Sequence, residues 1–213
     1  MARPGADAPA GATLIESSLT GSREARKDEV KETEVLSADD LARSLTRIAH
    51  EIIEGNPSPG KVAVVGIHTR GAFLARRLVS ILEELSGSPV DLGEVDISFY
   101  RDDLSVRTPD AQPVVHATKL DFPIEDKTVV LVDDVLYTGR TVRAAIDALF
   151  DYGRPSRVQL AVLCDRGHRE LPIRPDYVGK NLPTASGERV SVLLEETDGR
   201  EGVNLVSPVE VVE

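Results

Sequence analysis

Three short apolar runs decide what this chain can become. Residues 61–67 (KVAVVGI), 128–135 (TVVLVDDV) and 156–165 (SRVQLAVLCD) are rich in β-branched side chains and lack the polar alternation of a strand with one wet face. Such runs belong to strands buried on both faces, the situation in parallel sheets covered by helices. Segments of helical period follow the first two: 72–85 (AFLARRLVSILEEL) and 141–153 (TVRAAIDALFDYG), the latter ended by Gly153. Strand, helix, strand, helix, strand predicts an α/β fold, a right-handed parallel sheet with helices on both faces. In such sheets the ligand lies beyond the carboxyl ends of the strands, where the strand order switches. The loops at 68–71 and 134–141 are therefore predicted to share a rim.

The remaining segments fit around this unit. SADDLARSLTRIAHEIIEG is a helix that opens on a capping box between Ser37 and Asp40, repeats Leu41, Leu45, Ile48 and Ile52, and stops at Gly55. Residues 91–103 read as a strand running into a polar stretch, 102–126, with three prolines. The end of the chain reads as short strands and loops, including RVSVLLEE at 189–196. Residues 1–36, rich in Ala, Gly, Pro, Ser and mixed charge, read as a disordered tail, leaving 37–213 as one domain. With 4% aromatics and no Trp, the core must be aliphatic. The single cysteine, Cys164, excludes a disulfide framework within one chain. Neither a signal peptide nor an apolar run of membrane length is visible, so the sequence predicts a cytoplasmic protein with no membrane partner. The formal charge of −11 excludes indiscriminate nucleic-acid binding, although a local basic patch remains compatible with it.

The most specific segment is Val129-Val130-Leu131-Val132-Asp133-Asp134-Val135-Leu136-Tyr137-Thr138-Gly139-Arg140-Thr141. Two carboxylates emerge at the end of a buried strand, and Thr-Gly-Arg-Thr turns directly into a helix. A helix N-terminus offers unpaired N–H groups and a positive dipole end, hence an anion site. Gly139 lets backbone approach the anion, and Thr138 and Thr141 add hydroxyl donors. Carboxylates beside a phosphate cradle suit a ligand that brings hydroxyls or a bound Mg²⁺ along with its phosphate. A phosphorylated sugar meets both needs. Neither a Walker A loop nor a G-x-G-x-x-G fingerprint occurs.

This segment resembles the hallmark of the type I phosphoribosyltransferases. The resemblance implies their fold, a parallel sheet flanked by helices with a flexible hood, and a site for 5-phosphoribosyl-1-diphosphate (PRPP). It would place the 5′-phosphate on Thr138 to Thr141 and the ribose hydroxyls against Asp133 and Asp134, which would meet Mg²⁺ only indirectly, through ribose or water. Thr69, Arg70 and Gly71 match the family's pyrophosphate turn, which makes Arg70, Asp133 and Asp134 the candidate catalytic residues. The hood, with Tyr100, Arg101 and Asp102 at its start, would exclude water from a reactive glycosyl cation. Tyr137 stands where the 6-oxopurine enzymes carry an aspartate, which counts against hypoxanthine and guanine.

LTRIAHEIIE (45–54), GIHTRG (66–71), DISFYRDDL (96–104), VDDVLYTGRT (132–141) and DRGHRELPIRPDYVGKNLPT (165–184) together resemble the bifunctional pyrimidine-operon regulators with uracil phosphoribosyltransferase activity. His68 departs from that family's usual small or proline-like residue. The resemblance implies an enzyme, a glycosyltransferase making UMP and pyrophosphate from uracil and PRPP. It also implies a UMP-responsive regulator of transcription or translation that binds the pyrimidine-operon mRNA leader, assembled as a homodimer or larger. The alternative is a phosphoribosyltransferase for another nucleobase without RNA regulation. For RNA the candidates are Arg43, Arg47 and His50, at i, i+4 and i+7 opposite the apolar stripe. A second cluster holds Arg166, His168, Arg169, Arg174 and Lys180.

Overall fold

The computed structural model describes residues 30–98 and 118–208. Its centre is a five-stranded, wholly parallel sheet of β2 (Val62–Ile67), β3 (Asp91–Val95), β4 (Thr128–Leu136), β5 (Arg157–Asp165) and β6 (Tyr177–Asn181), in the order β3-β2-β4-β5-β6. The order reverses at β2, so the crevice at the switch lies between the ends of β2 and β4, where the sequence placed it.

Strand alternation divides the core in two. Val62, Val64, Val130, Val132 and Leu163 face α1 (Ala38–Gly55) and α2 (Arg70–Ser86). Ala63, Val65, Val129, Leu131 and Val162 face α3 (Arg140–Phe150) and Ile124. The four strand residues Val129, Val130, Leu131 and Val132 are therefore core, not ligand contacts, which corrects the PRPP-site assignment drawn from the resemblance. Helix α1 starts on the predicted box: the Ser37 hydroxyl accepts the Asp40 N–H, and the Asp40 carboxylate accepts the Ser37 N–H at 3.1 Å. Helix α3 ends at Phe150, ahead of Gly153.

Beside this unit stands an antiparallel sheet of β1 (Val30–Leu36), β7 (Arg189–Leu193) and β8 (Gly202–Pro208), in the order β1-β8-β7, with the four-residue α4 (Glu195–Asp198) between β7 and β8. Residues 30–36 are thus a paired strand rather than part of the expected disordered tail. Their polar run KETE reads as tail because the strand lies at a sheet edge and leaves both faces largely exposed. The rest of the expected tail, 1–29, lies outside the described residues. So do Tyr100, Arg101, Asp102 and the rest of the expected hood through 117, whereas 118–126 packs along β3, with Lys119 bridged to Glu94 and Ile124 buried. Among the described residues no helix is long and apolar enough to cross a membrane.

Candidate active site

Two strand-to-helix turns meet at the rim. The first, 68–71, carries a cis peptide between His68 and Thr69 and turns into α2. A Cβ at Gly71 would stand 2.3 Å from the Val132 carbonyl oxygen, so only glycine lets this turn lie on the end of β4. Arg70, the first residue of α2, consequently comes close enough to the acidic pair for its charge to act on Asp134. Its Nη2 donates to both oxygens of Asp198 on α4, at 2.9 and 3.1 Å. Its Nε is buried without a hydrogen-bond partner. His68 turns to Glu94 of β3, with Nε2 3.1 Å from the carboxylate that Arg76 also holds.

The second turn frames a cavity of about 320 Å³ lined by Asp133, by Val135, Leu136, Tyr137, Thr138, Gly139, Arg140, Thr141 and Val142, and by Glu170. Gly139 precedes α3 with φ +92°, a left-handed conformation that glycine tolerates. A side chain there would also press on Leu171 and Ile173 at 3.3–3.4 Å. The first turn of α3 borders the cavity, so its unpaired N–H groups make the wall an anion site. Glu170 pairs with Arg140 at 2.6 Å on that wall.

The adjacent carboxylates are hydrogen-bonded to each other but sit differently in the site. Successive residues of a strand point to opposite faces, and here Asp133 lines the cavity while Asp134 does not. Burial pushes the Asp134 carboxyl above the ordinary range, against the Val135 N–H, the Arg70 charge and a hydrogen bond with Asp133, which favour the anion. Burial, and then the charge of Asp134, raises the Cys164 thiol to about 12, so Cys164 is an inert part of the core. Among the described residues no group of three or more ligating side chains could hold a metal. A buried carboxylate beside a phosphate cradle instead fits a hydrated Mg²⁺ that arrives with a diphosphate.

The segment after β5 holds the second turn in place, through residues the sequence reading assigned elsewhere. Thr138 O accepts the N–H groups of Glu170 and Leu171 at 3.0 and 3.1 Å. Arg169 donates to the carbonyls of Tyr137, Gly167 and Ile173 at 2.8–3.1 Å and pairs with Asp165. Arg166 is 7% exposed, its guanidinium 4.1 Å from the Tyr137 ring centroid and its Nη2 donating to Glu188 O at 2.6 Å. His168 Nε2 lies 2.6 Å from Thr184 O. Arg166 and Arg169 brace the loop, and Arg166, being buried, offers little surface to a partner. Charge alone cannot tell a solvated arginine from one capping carbonyls.

The α1 face keeps its side chains exposed but not idle. Ala42, Arg43, Thr46, Arg47 and His50 line an open depression of about 540 Å³. Arg47 donates to Val178 O and Gly179 O of β6 at 3.1 and 2.6 Å and pairs with Glu51. This docks α1 on β6, the edge strand that also carries the exposed Lys180. Arg43 pairs with Asp40.

Residues 32–194 match the phosphoribosyl transferase domain family. The bifunctional protein PyrR of Deinococcus radiodurans is 60% identical over 174 residues, covering 82% of this chain and 94% of that protein. Its namesake in Bacillus subtilis is 56% identical over 164 residues, covering 77% and 91%. Among solved structures, a hypoxanthine phosphoribosyltransferase from Trypanosoma cruzi superposes with a TM-score of 0.64 at 19% identity, over 82% of this chain and 95% of that one. A hypoxanthine-guanine phosphoribosyltransferase from Bacillus anthracis does so at 0.61 and 18%, over 84% and 99%. At such identities the likeness is one of fold.

Proposed function

The chain belongs to the phosphoribosyl transferase domain family and, within it, to the bifunctional PyrR proteins, and on that premise we propose that it makes UMP and pyrophosphate from uracil and PRPP. The observation that carries the reading is the shared rim. An anion-binding helix terminus, a cavity-facing carboxylate and an arginine with a buried, unpartnered N–H converge at one switch in strand order. Thr138 to Thr141 and the start of α3 receive the 5′-phosphate. Asp133 accepts the ribose hydroxyls, and Asp134 stands behind it near Arg70. As uracil N1 bonds to C1′, the bond from C1′ to the pyrophosphate oxygen breaks and the N1 proton is lost to solvent or a base. Arg70 meets the charge that develops on the departing pyrophosphate, so it stabilises the transition state more than the ground state. Magnesium bound to the diphosphate, as phosphoribosyltransferases generally employ it, would add charge neutralisation, with Asp133 and Asp134 reaching it through ribose hydroxyls or water.

The same pocket serves as the sensor of a regulator. The UMP-loaded protein binds the pyrimidine-operon mRNA leader through the α1 face, Arg43, Arg47 and His50, extended by Lys180. On a protein of net charge −11 such binding must be focused and strongly salt-dependent. We place this work in the cytoplasm, by a homodimer or larger assembly. Formation of UMP from uracil and PRPP, followed by leader titrations with and without UMP, tests both halves. UMP must tighten RNA binding, and by linkage RNA must tighten UMP binding equally. Because Arg47 also docks α1 on β6, Lys180→Ala is the cleaner probe. It should weaken leader binding and lower the salt slope by about one while UMP synthesis continues unchanged. Equal affinity and slope would remove RNA from this face.

A further inference from the structure

Arg70 reaches across to a part of the chain that the active-site motifs do not include. Of its guanidinium donors, Nη2 is committed to the two oxygens of Asp198, while Nε is buried and unpartnered. Asp198 is itself fixed. Its carboxylate accepts the Leu194 N–H at 3.0 Å and the Thr197 hydroxyl at 2.5 Å, and Leu194 is fully buried. Beside it, Arg77 of α2 pairs with Glu196 at 2.7 Å and with Glu201, which anchors α4 independently of Arg70. We propose that Asp198 is the positioning residue for Arg70, holding one edge of the guanidinium so that its remaining N–H groups are set in advance for the diphosphate of PRPP. This rests on the reading of Arg70 as the diphosphate contact.

An arginine loses rotamer freedom when a ligand immobilises it, and a partner that fixes it beforehand removes that loss from the binding step. Asp198 is suited to this because it takes Nη2 alone and leaves a donor edge open. Its contacts to Thr197, Leu194 and Arg70 keep its own carboxyl below the ordinary range, so the ion pair persists through neutral pH. The antiparallel sheet thereby contributes to catalysis without touching substrate.

The test is calorimetric binding of magnesium pyrophosphate, which requires no nucleobase, alongside steady-state kinetics with PRPP and uracil. Asp198→Asn keeps the shape and an acceptor for the Leu194 N–H but loses the charge. It should weaken pyrophosphate binding and raise KM for PRPP about fivefold, the scale of immobilising one rotamer-rich side chain, with KM for uracil unchanged. Glu196→Gln loosens the α4 anchor without touching Arg70, so it should lower the melting temperature and leave pyrophosphate affinity alone. In an Arg70→Ala background Asp198→Asn should have no further effect, since the two act as one unit. Pyrophosphate affinity unchanged or raised in Asp198→Asn overturns the inference, and so does a loss that persists in the Arg70→Ala background. Absence of UMP formation by the wild type, with the Asp198→Asn loss intact, overturns the functional reading instead and leaves Asp198 as the positioner of a diphosphate-binding arginine.

Discussion

The two sheets of this protein are held by different forces and do different work. The parallel sheet is buried on both faces between helices, its neighbouring strands are linked by crossovers, and its strand ends present Asp133, Asp134 and the turn at Thr138–Thr141. The antiparallel sheet joins distant parts of the chain, pairing Val30 with Pro208, and exposes most of β1. It meets the rest of the protein through Leu36, Val192, Leu194 and Val203, which enter the core on the α1 and α2 side, and through the ion pairs of Arg70 and Arg77. The comparison teaches that the parallel strand ends carry the candidate site, while its arginine is paired from a separate layer.

The comparison can be broken most severely at the strand end. Asp133→Asn combined with Asp134→Asn should reduce turnover by several orders of magnitude, and Arg70→Ala should lower kcat/KM for PRPP by roughly a hundredfold, a usual loss for one electrostatic donor. Folding should survive all three changes. Asp134 even sits where burial opposes its charge, so neutralising it relieves a cost at neutral pH. Loss of activity that tracks a collapsed melting transition would move these residues from the chemistry to the scaffold.

What the sequence revealed divides along the same line. The parallel strands, the Ser37–Asp40 box and the turn at Thr138–Thr141 are local patterns, each legible within about a dozen residues. Val30–Leu36 was illegible as a strand because its partner lies at the far end of the chain and its faces are wet. Asp198 carried no signal: EETD looks like any solvated acidic turn, and its meaning comes from Arg70, 128 positions away. Arg166 was misread because an arginine in a charged segment defaults to the surface, whereas the Tyr137 ring and the Glu188 carbonyl draw it inward. Asp133 and Asp134 looked like two equivalent carboxylates because sequence adjacency hides which of them lines the cavity.

The antiparallel sheet offers a sharper division between its two kinds of anchor. Leu194 is fully buried in the common core, and Leu194→Ala should cost about 2–5 kcal/mol, the range for a large-to-small change in a packed interior. Arg77→Met removes both pairs to Glu196 and Glu201 but keeps an apolar stem. Each pair is a quarter to a third exposed and surface pairs contribute at most about 1 kcal/mol, so the cost should stay below about 2 kcal/mol and shrink with added salt. Urea unfolding of the two variants at low and high salt checks the ranking. The reverse order would mean that charge, not burial, seats the second sheet.

The smallest effect belongs to the junction, where β1 of one sheet runs directly into α1 of the other. Ser37→Ala should cost about 1 kcal/mol, as removal of an N-cap hydroxyl usually does. Asp40, the other half of the box, has its carboxyl lowered to about 2, first by the Ser37 hydroxyl and then by the Ser37 N–H and Arg43. A depressed carboxyl stabilises the fold fully above the ordinary value of 3.8 and loses that contribution as pH falls through about 2. The stability gap between wild type and Asp40→Asn should therefore be constant from neutrality down to about pH 4 and narrow below it. Removing the hydroxyl raises the Asp40 carboxyl toward its ordinary value, so Ser37→Ala should lose less stability than wild type below about pH 4, and the gap between the two should narrow there. Urea midpoints measured from pH 7 to pH 3 decide this. Parallel curves for wild type and Ser37→Ala would show that the box closes the helix end without coupling to the carboxyl, and that the two sheets are joined by packing alone.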